Sequence, residues 1–283
     1  MKKLLLGIFV FGVMGIAVAA TGDSLQIKGS DTMVNLAQSW AEQYMEEKPL
    51  AFVAVTGGGS GTGFASMING TCDIAMASRE IKQKEVELAK AKNISPYEIK
   101  IALDGLAVVV NPKNPVGKLT VDQLAAIFSG KITNWKQIGG EDKSIVVLSR
   151  EVNSGTHVYF KEHILRKNDP NNKEEYTPRA LLLSSSQAIA DEVAQNTGAI
   201  GYYGMGYISD KQKAVAVAQN EKSPYIEPEI DNVVSGKYPI SRPLFFYTNG
   251  QPQGNVKDFI DFALSKEGQK IVLETDFVPL AKK

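Results

Sequence analysis

An α/β fold with mostly parallel sheets, divided into two lobes, is what this sequence predicts, and three observations predict it. Short β-rich runs alternate with helix-patterned segments from about residue 24 onward, the pattern of parallel sheets flanked by helices. The tripeptide Ser-Gly-Thr occurs twice, at residues 60–62 and 154–156, each time between a β-branched run and a helical one. Two Pro/Gly/Asn-rich stretches, near residues 111 and 240, have the composition of crossings that leave one lobe for another and return.

The chain opens with "MKKLLLGIFVFGVMGIAVAATGDS", a short basic start, an apolar middle and small residues at Ala17 to Ala20. That is the make-up of a secretory signal peptide over residues 1–20, so the mature protein is expected outside the cytoplasm, in the periplasm. A membrane anchor is the alternative, but the apolar stretch is short for a full span. Next, "SLQIKGS" reads as a strand ending in a turn and "TMVNLAQSWAEQYMEEK" as an amphipathic helix. "AFVAVTGGG" is a strand running into a glycine loop, "GTGFASMINGT" a short helix, "CDIAMASR" a strand. "LAVVVNPKNPVGK" forms the first crossing. Apolar Val121, Leu124, Ile127 and Phe128, closed by Gly130, have helical spacing. "KSIVVLSR" reads as a strand, "GTHVYFKEHIL" as a helix and "GAIGYYG" as a strand, with the charged "RKNDPNNKEEYTPR" a surface excursion between them. "SGKYPISRPLFFYTN" is the return crossing, and "NVKDFIDFALSKEGQKIVLE" one long helix. The lobes are therefore expected at 24–108 plus 241–283 and at 109–240.

A chain of 283 residues, 43% hydrophobic, can fill two ordinary domains. Its 31 basic and 31 acidic residues cancel, which argues against a nucleic-acid or anionic-membrane surface. Any anion site must be local. The single cysteine, Cys72, has no internal disulfide partner and reads as a small buried hydrophobe. His157 and His163 fall six apart on one expected helix, roughly 240° around it, so they cannot readily share a metal. No metal ligand set, cofactor motif or catalytic constellation is present.

Beyond the carboxyl ends of strands, backbone N–H groups at helix starts lack internal partners and carry partial positive charge. A strand, then Ser-Gly-Thr, then a helix is on that account a cradle for an anion. "IKGSDTMVNL" has the same character, with Ser30 and Thr32 at a helix start. A Ser or Thr there is equally an ordinary helix cap. Arg79 in "MASRE" and Arg150 in "LSRE" add guanidinium groups suited to bidentate oxyanion contacts, although a surface ion pair is the usual fate of an arginine.

Taken together, "GSDT", "GGGSGTGF", "CDIAMASR", "SREVNSGTH" and "TGAIGYYG", in that order, resemble the periplasmic phosphate-binding proteins, the receptor component of the phosphate-specific ABC transporter. The resemblance implies the two-lobed periplasmic binding protein fold (type II), a monomer that binds inorganic phosphate between its lobes, and membrane permease subunits as partners. It implies phosphate contacts from Ser30, Thr32, the Met33 N–H, Ser60, Ser78 and Arg79 on one lobe. From the other it implies Arg150, Ser154, the Gly155 N–H and Thr156. Two departures stand out. Arg79 occupies the place where long members of the family carry a proton-accepting aspartate, and Val152 the place of an aspartate that braces the cleft arginine. Asp31 could replace the acceptor or could cap a helix. An exported phosphatase, with His157 as a base, and a binder of sulfate, molybdate or tungstate are the rival readings.

Overall fold

The computed structural model describes residues 24–280; the leader expected at residues 1–20 lies outside them. Strand β1 (Ser24–Gly29) leads through a 3-10 turn into α1 (Val34–Glu47), followed by β2 (Phe52–Thr56), α2 (Ser60–Ile68), β3 (Ile74–Ala77) and α3 (Gln83–Ala91). The long β4 (Pro96–Val110) precedes β5 (Lys118–Thr120), α4 (Val121–Phe128), β6 (Val146–Arg150) and α5 (Gly155–Phe160). Then come β7 (Leu181–Leu183), α6 (Ser186–Gln195), β8 (Ala199–Gly204), β9 (Lys213–Ala214), β10 (Ala216–Ala218) and α7 (Ile230–Val234). The chain ends in β11 (Ser241–Asn249), α8 (Gly254–Leu264) and α9 (Lys266–Glu274).

One curled sheet runs in the order β2-β1-β3-β11-β4-β8-β6-β7, with β9 also on β4 and β5 pairing β10 separately. The outer strands pair in parallel, β1 with β2 and β3, β6 with β7 and β8. The strands that join the two halves are antiparallel: β11 to both β3 and β4, and β4 to β8. Sequence periodicity reveals strands but not their direction, so these antiparallel members emerge only from the structure. Along β4, residues 96–105 pair with β11 while residues 106–110 pair with β8. One continuous strand thus serves both halves, changing partner at Gly105.

Each half encloses its own core. Leu25, Ile27, Leu36, Trp40, Phe246 and Phe259 pack together on one side, Leu124, Phe128, Trp135, Phe160 and Tyr202 on the other. Burying each such side chain is worth roughly 1.5–3 kcal/mol. The indole of Trp40 donates to the Gly268 carbonyl at 2.8 Å, fixing the C-terminal α9 against α1 in the first half.

Two helices differ from their sequence reading. Residues 255–274 form two helices, because Ser265 takes an extended conformation and its Oγ accepts from the Gly268 N–H at 3.1 Å, capping α9. A side chain that satisfies a free N–H competes with helix continuation. After Phe160 the helix widens into a π turn at Lys161–Leu165, a form found mostly as short interruptions.

Candidate functional site

The ends of β1, β3 and β6 and the starts of α2 and α5 converge between the halves. Ser30, directly after β1, donates its N–H to Met76 O at 2.8 Å and its hydroxyl to Ser78 Oγ at 2.9 Å. Ser78, directly after β3, donates its N–H to Ser60 Oγ at 3.0 Å. From the other half, Thr156 Oγ1 lies 2.8 Å from Thr32 Oγ1. Ser30, Thr32, Ser60, Ser78, Ser154 and Thr156 are all buried. Gly155 sits tightly against the other half: a Cβ there would stand 2.2 Å from Ser60 Oγ and 2.6 Å from Ser78 Oγ. Here the backbone of one half touches the hydroxyls of the other.

The glycine loop before α2 closes the rim. Gly59, at φ +97°, brings the chain against Asn153 of the second half, where Gly61 N donates to Asn153 O at 3.0 Å. Asn153 Nδ2 returns a bond to Gly58 O at 2.8 Å.

Among the sequence-derived residues, Ser30, Thr32, Ser60, Ser78, Gly155 and Thr156 come together. Ser154 stands at the edge as the cap of α5, its Oγ accepting from His157 N at 3.4 Å. The Met33 N–H turns back to Ser30 O at 3.1 Å and its side chain is buried in the first core. Arg150 is buried beside the cluster, with Nη1 at 2.9 Å from both Ser186 Oγ and Asp31 Oδ2, and Nη2 at 2.8 Å from Ser184 O. Burial lowers the Arg150 pKa and Asp31 opposes that shift.

Arg79 does not join them. Its guanidinium forms a bidentate pair with Glu85, Nη1 to Oε2 at 2.8 Å and Nη2 to Oε1 at 2.7 Å, and lies over the Phe64 ring. It lines a groove of about 650 Å³ with Tyr159, His163, Phe245 and Arg242.

The second cluster arginine is Arg242, on β11. Its Nη2 donates to Thr156 Oγ1 at 3.0 Å and its Nη1 to Ser78 O at 3.1 Å, so it touches both halves. Nε and Nη2 also hold Asp104 Oδ2 at 3.0 and 2.8 Å, and Asp104 Oδ1 accepts from Met205 N at 3.1 Å. Burial pushes the Asp104 carboxyl upward, opposed by Arg242. Sequence reading passed over this pair because "ISRPLFF" carries no local motif. Its only signal is a charge inside an otherwise apolar strand.

His157, the base of the phosphatase alternative, is buried within the second half. Its Nδ1 lies 3.1 Å from Ser149 Oγ, which meets Tyr202 Oη at 2.6 Å. Burial pushes its pKa down to about 4, so the ring is neutral at physiological pH. His163 stacks on Tyr159 in the groove. Cys72 is half-buried, and burial raises its thiol to about 11. Trp40 and Trp135 are both buried in the cores, away from the cleft.

With this geometry in place, comparison with known proteins is informative. The profile of the PBP superfamily domain matches residues 16–267. The phosphate-binding protein PstS of Bacillus subtilis is 34% identical over 258 residues, covering 91% of this chain and 81% of the relative. That of Pseudomonas aeruginosa is 32% identical over 277 residues, covering 92% and 84%. A Clostridium perfringens chain solved with bound phosphate superposes with a TM-score of 0.82 at 34% identity, covering 92% of this chain and all of that one (100%). An ABC-type phosphate transport receptor from Vibrio cholerae gives 0.71 at 33%, covering 90% and 100%.

Proposed function

This chain belongs to the PstS-type phosphate-binding proteins of the PBP superfamily, and from that premise we propose that it is the exported receptor of a phosphate ABC transporter. It captures inorganic phosphate between its lobes as a monomer and delivers it to the membrane permease. The observation that carries the site assignment is the set of buried hydroxyls contributed by both lobes, bridged by Thr32 and Thr156 and flanked by Arg150 and Arg242.

A desolvated oxyanion is costly unless nearly every oxygen is hydrogen-bonded. The hydroxyls bond one another, so each can turn to an arriving phosphate without a buried donor being stranded. Hydroxyls both donate and accept, and can pair with either P–O⁻ or P–OH. Arg150 and Arg242 supply positive field from fixed positions. Most of their N–H groups are held by protein oxygens, so the hydroxyls and the Gly155 amide carry the direct contacts. We place Ser30, Thr32, Ser60, Ser78, Ser154, Gly155, Thr156, Arg150 and Arg242 in the site, with the Met33 amide at its edge. Arg79 acts through its pair with Glu85. We take the lobes as about residues 24–108 with 241–283, and 109–240; the pairing of Leu106–Val110 with β8 favours placing the first crossing nearer Gly105. A binding role without catalysis is favoured because His157 is neutral and engaged inside the second core.

A wider oxyanion specificity is favoured by one observation: both cluster carboxylates, Asp31 and Asp104, are paired to arginines. Reading of the phosphate proton then falls to hydroxyl lone pairs, which also tolerate a fully ionised anion. Calorimetric titration of ligand-stripped protein with phosphate, sulfate, arsenate and molybdate tests both points. Phosphate should bind one-to-one, with or without EDTA. Absence of phosphate binding, or binding that needs a divalent metal, would refute the assignment.

A further inference from the structure

We propose that Asp31 is the positioning residue of this site, a latch that reaches across the cleft, holds Arg150 and links phosphate capture to lobe closure. The inference rests on reading the cleft as a phosphate site. Asp31 lies in the 3-10 turn after β1, on the first lobe, where its carbonyl, not its carboxylate, accepts from Val34 N. Its Oδ2 instead accepts from Ser186 N at 2.8 Å and Ser186 Oγ at 2.9 Å, and lies 2.9 Å from Arg150 Nη1. Both residues belong to the second lobe. Ser186 opens the ten-residue α6, so the carboxylate occupies the positive end of that helix as an anion would. The backbone repeats the link, for Tyr207 Oη donates to Asp31 O at 2.8 Å.

Arg150 keeps bonds to Ser184 O, Leu183 O and Ser186 Oγ within its own lobe. Its carboxylate partner comes from across the cleft, while Val152 on its own lobe is solvent-exposed. With the lobes apart, Arg150 faces the cleft as an uncompensated cation and attracts the anion. Closure then delivers Asp31, which balances that charge and fixes the guanidinium. Association is governed by the open form, in which Asp31 is remote from Arg150, whereas release must first break the latch. Loss of one partner of a buried charged pair acts mainly on the off-rate.

The variant Asp31→Asn keeps size and removes the charge; Ser186→Ala removes only the hydroxyl that donates to Asp31 Oδ2 and accepts from Arg150, leaving the Ser186 N–H bond and the ion pair. Two measurements decide. Amide exchange at Gly61, whose N–H bonds to Asn153 O across the lobes, reads closure with or without ligand. Exchange at the Trp40 indole N–H, bonded to Gly268 O in the first core, reads folding. Release of radiolabelled phosphate reads the off-rate. Asp31→Asn should accelerate Gly61 exchange and phosphate release roughly tenfold or more, and Ser186→Ala should do so in the same direction by less. Exchange at the Trp40 indole should be unchanged, the association rate should change less than about threefold, and the double variant should add little to Asp31→Asn alone. Unchanged Gly61 exchange in both variants overturns the latch. If wild-type protein binds no phosphate, the functional reading fails, and the latch stands or falls on Gly61 exchange alone.

Discussion

At the scale of single residues, the two cluster arginines and Arg79 separate three roles. Removing Arg150 withdraws a buried positive charge from the anion site, and such losses cost roughly 2–5 kcal/mol. Arg150→Ala should therefore weaken phosphate affinity roughly thirtyfold to several thousandfold in a titration. Arg79→Ala should change affinity less than about threefold, because its guanidinium is committed to Glu85. Arg242→Ala leaves the fully buried Asp104 without its partner, at about 3–5 kcal/mol. The melting temperature should fall by roughly 10 °C, and Asp104→Ala in the same chain should recover part of that loss. An Arg79→Ala variant that binds as poorly as Arg150→Ala would return Arg79 to the anion site. The hydroxyls were legible in the sequence, because a strand end, a small residue and a helix start are neighbours along the chain. Arg242 was not, since Asp104 is 138 positions away and chain neighbours give no hint of it.

At the scale of elements, the two Ser-Gly-Thr corners are legible as helix starts, yet their contact with each other is a property of packing. Gly155 shows why that corner needs glycine. Its backbone approaches Ser60 and Ser78 so closely that a methyl group would overlap both hydroxyls. Neither serine can retreat freely, for Ser60 Oγ accepts from Ser78 N and Ser78 Oγ accepts from Ser30. The overlap exists only when the halves meet, so Gly155→Ala should impair closure and leave each lobe intact. Phosphate affinity should fall roughly fivefold to 150-fold, since restoring the contact requires backbone shifts of about 1–3 kcal/mol. The melting temperature without ligand should stay within a few degrees of wild type. An affinity loss matched by a large drop in that temperature would mean that Gly155 supports the fold itself. The breaks at Ser265 and after Phe160 escaped sequence reading because apolar spacing runs on through both, and a cap or a widened turn leaves that spacing nearly unchanged.

For the molecule as a whole, the two-lobed α/β plan was legible from alternation and from the crossings, but the joint between lobes was not. It consists of β4 and β11 paired in register, with Arg242 opposite Asp104, a long-range pairing that local composition does not encode. The buried network of the second lobe likewise has a global consequence. His157 is neutral when folded, its pKa lowered from 6.5 to about 4 by burial, with Lys161 adding to the shift. In the unfolded chain it protonates near 6.5. Between those two values the unfolded state binds the additional proton, so stability falls as pH drops from 6.5 toward 4 and is level above that window. The loss approaches about 3 kcal/mol once both states are protonated. His163, also lowered by burial, adds in the same direction, whereas Asp104, whose carboxyl burial pushes upward, acts in the opposite one. His157→Gln should thus flatten the pH dependence of denaturant-measured stability between pH 6.5 and 4, with phosphate affinity at pH 7.5 nearly unchanged. A variant as acid-sensitive as wild type would show that His157 is not the titrating group, and one that lost phosphate binding while still folded would restore this histidine to the ligand site.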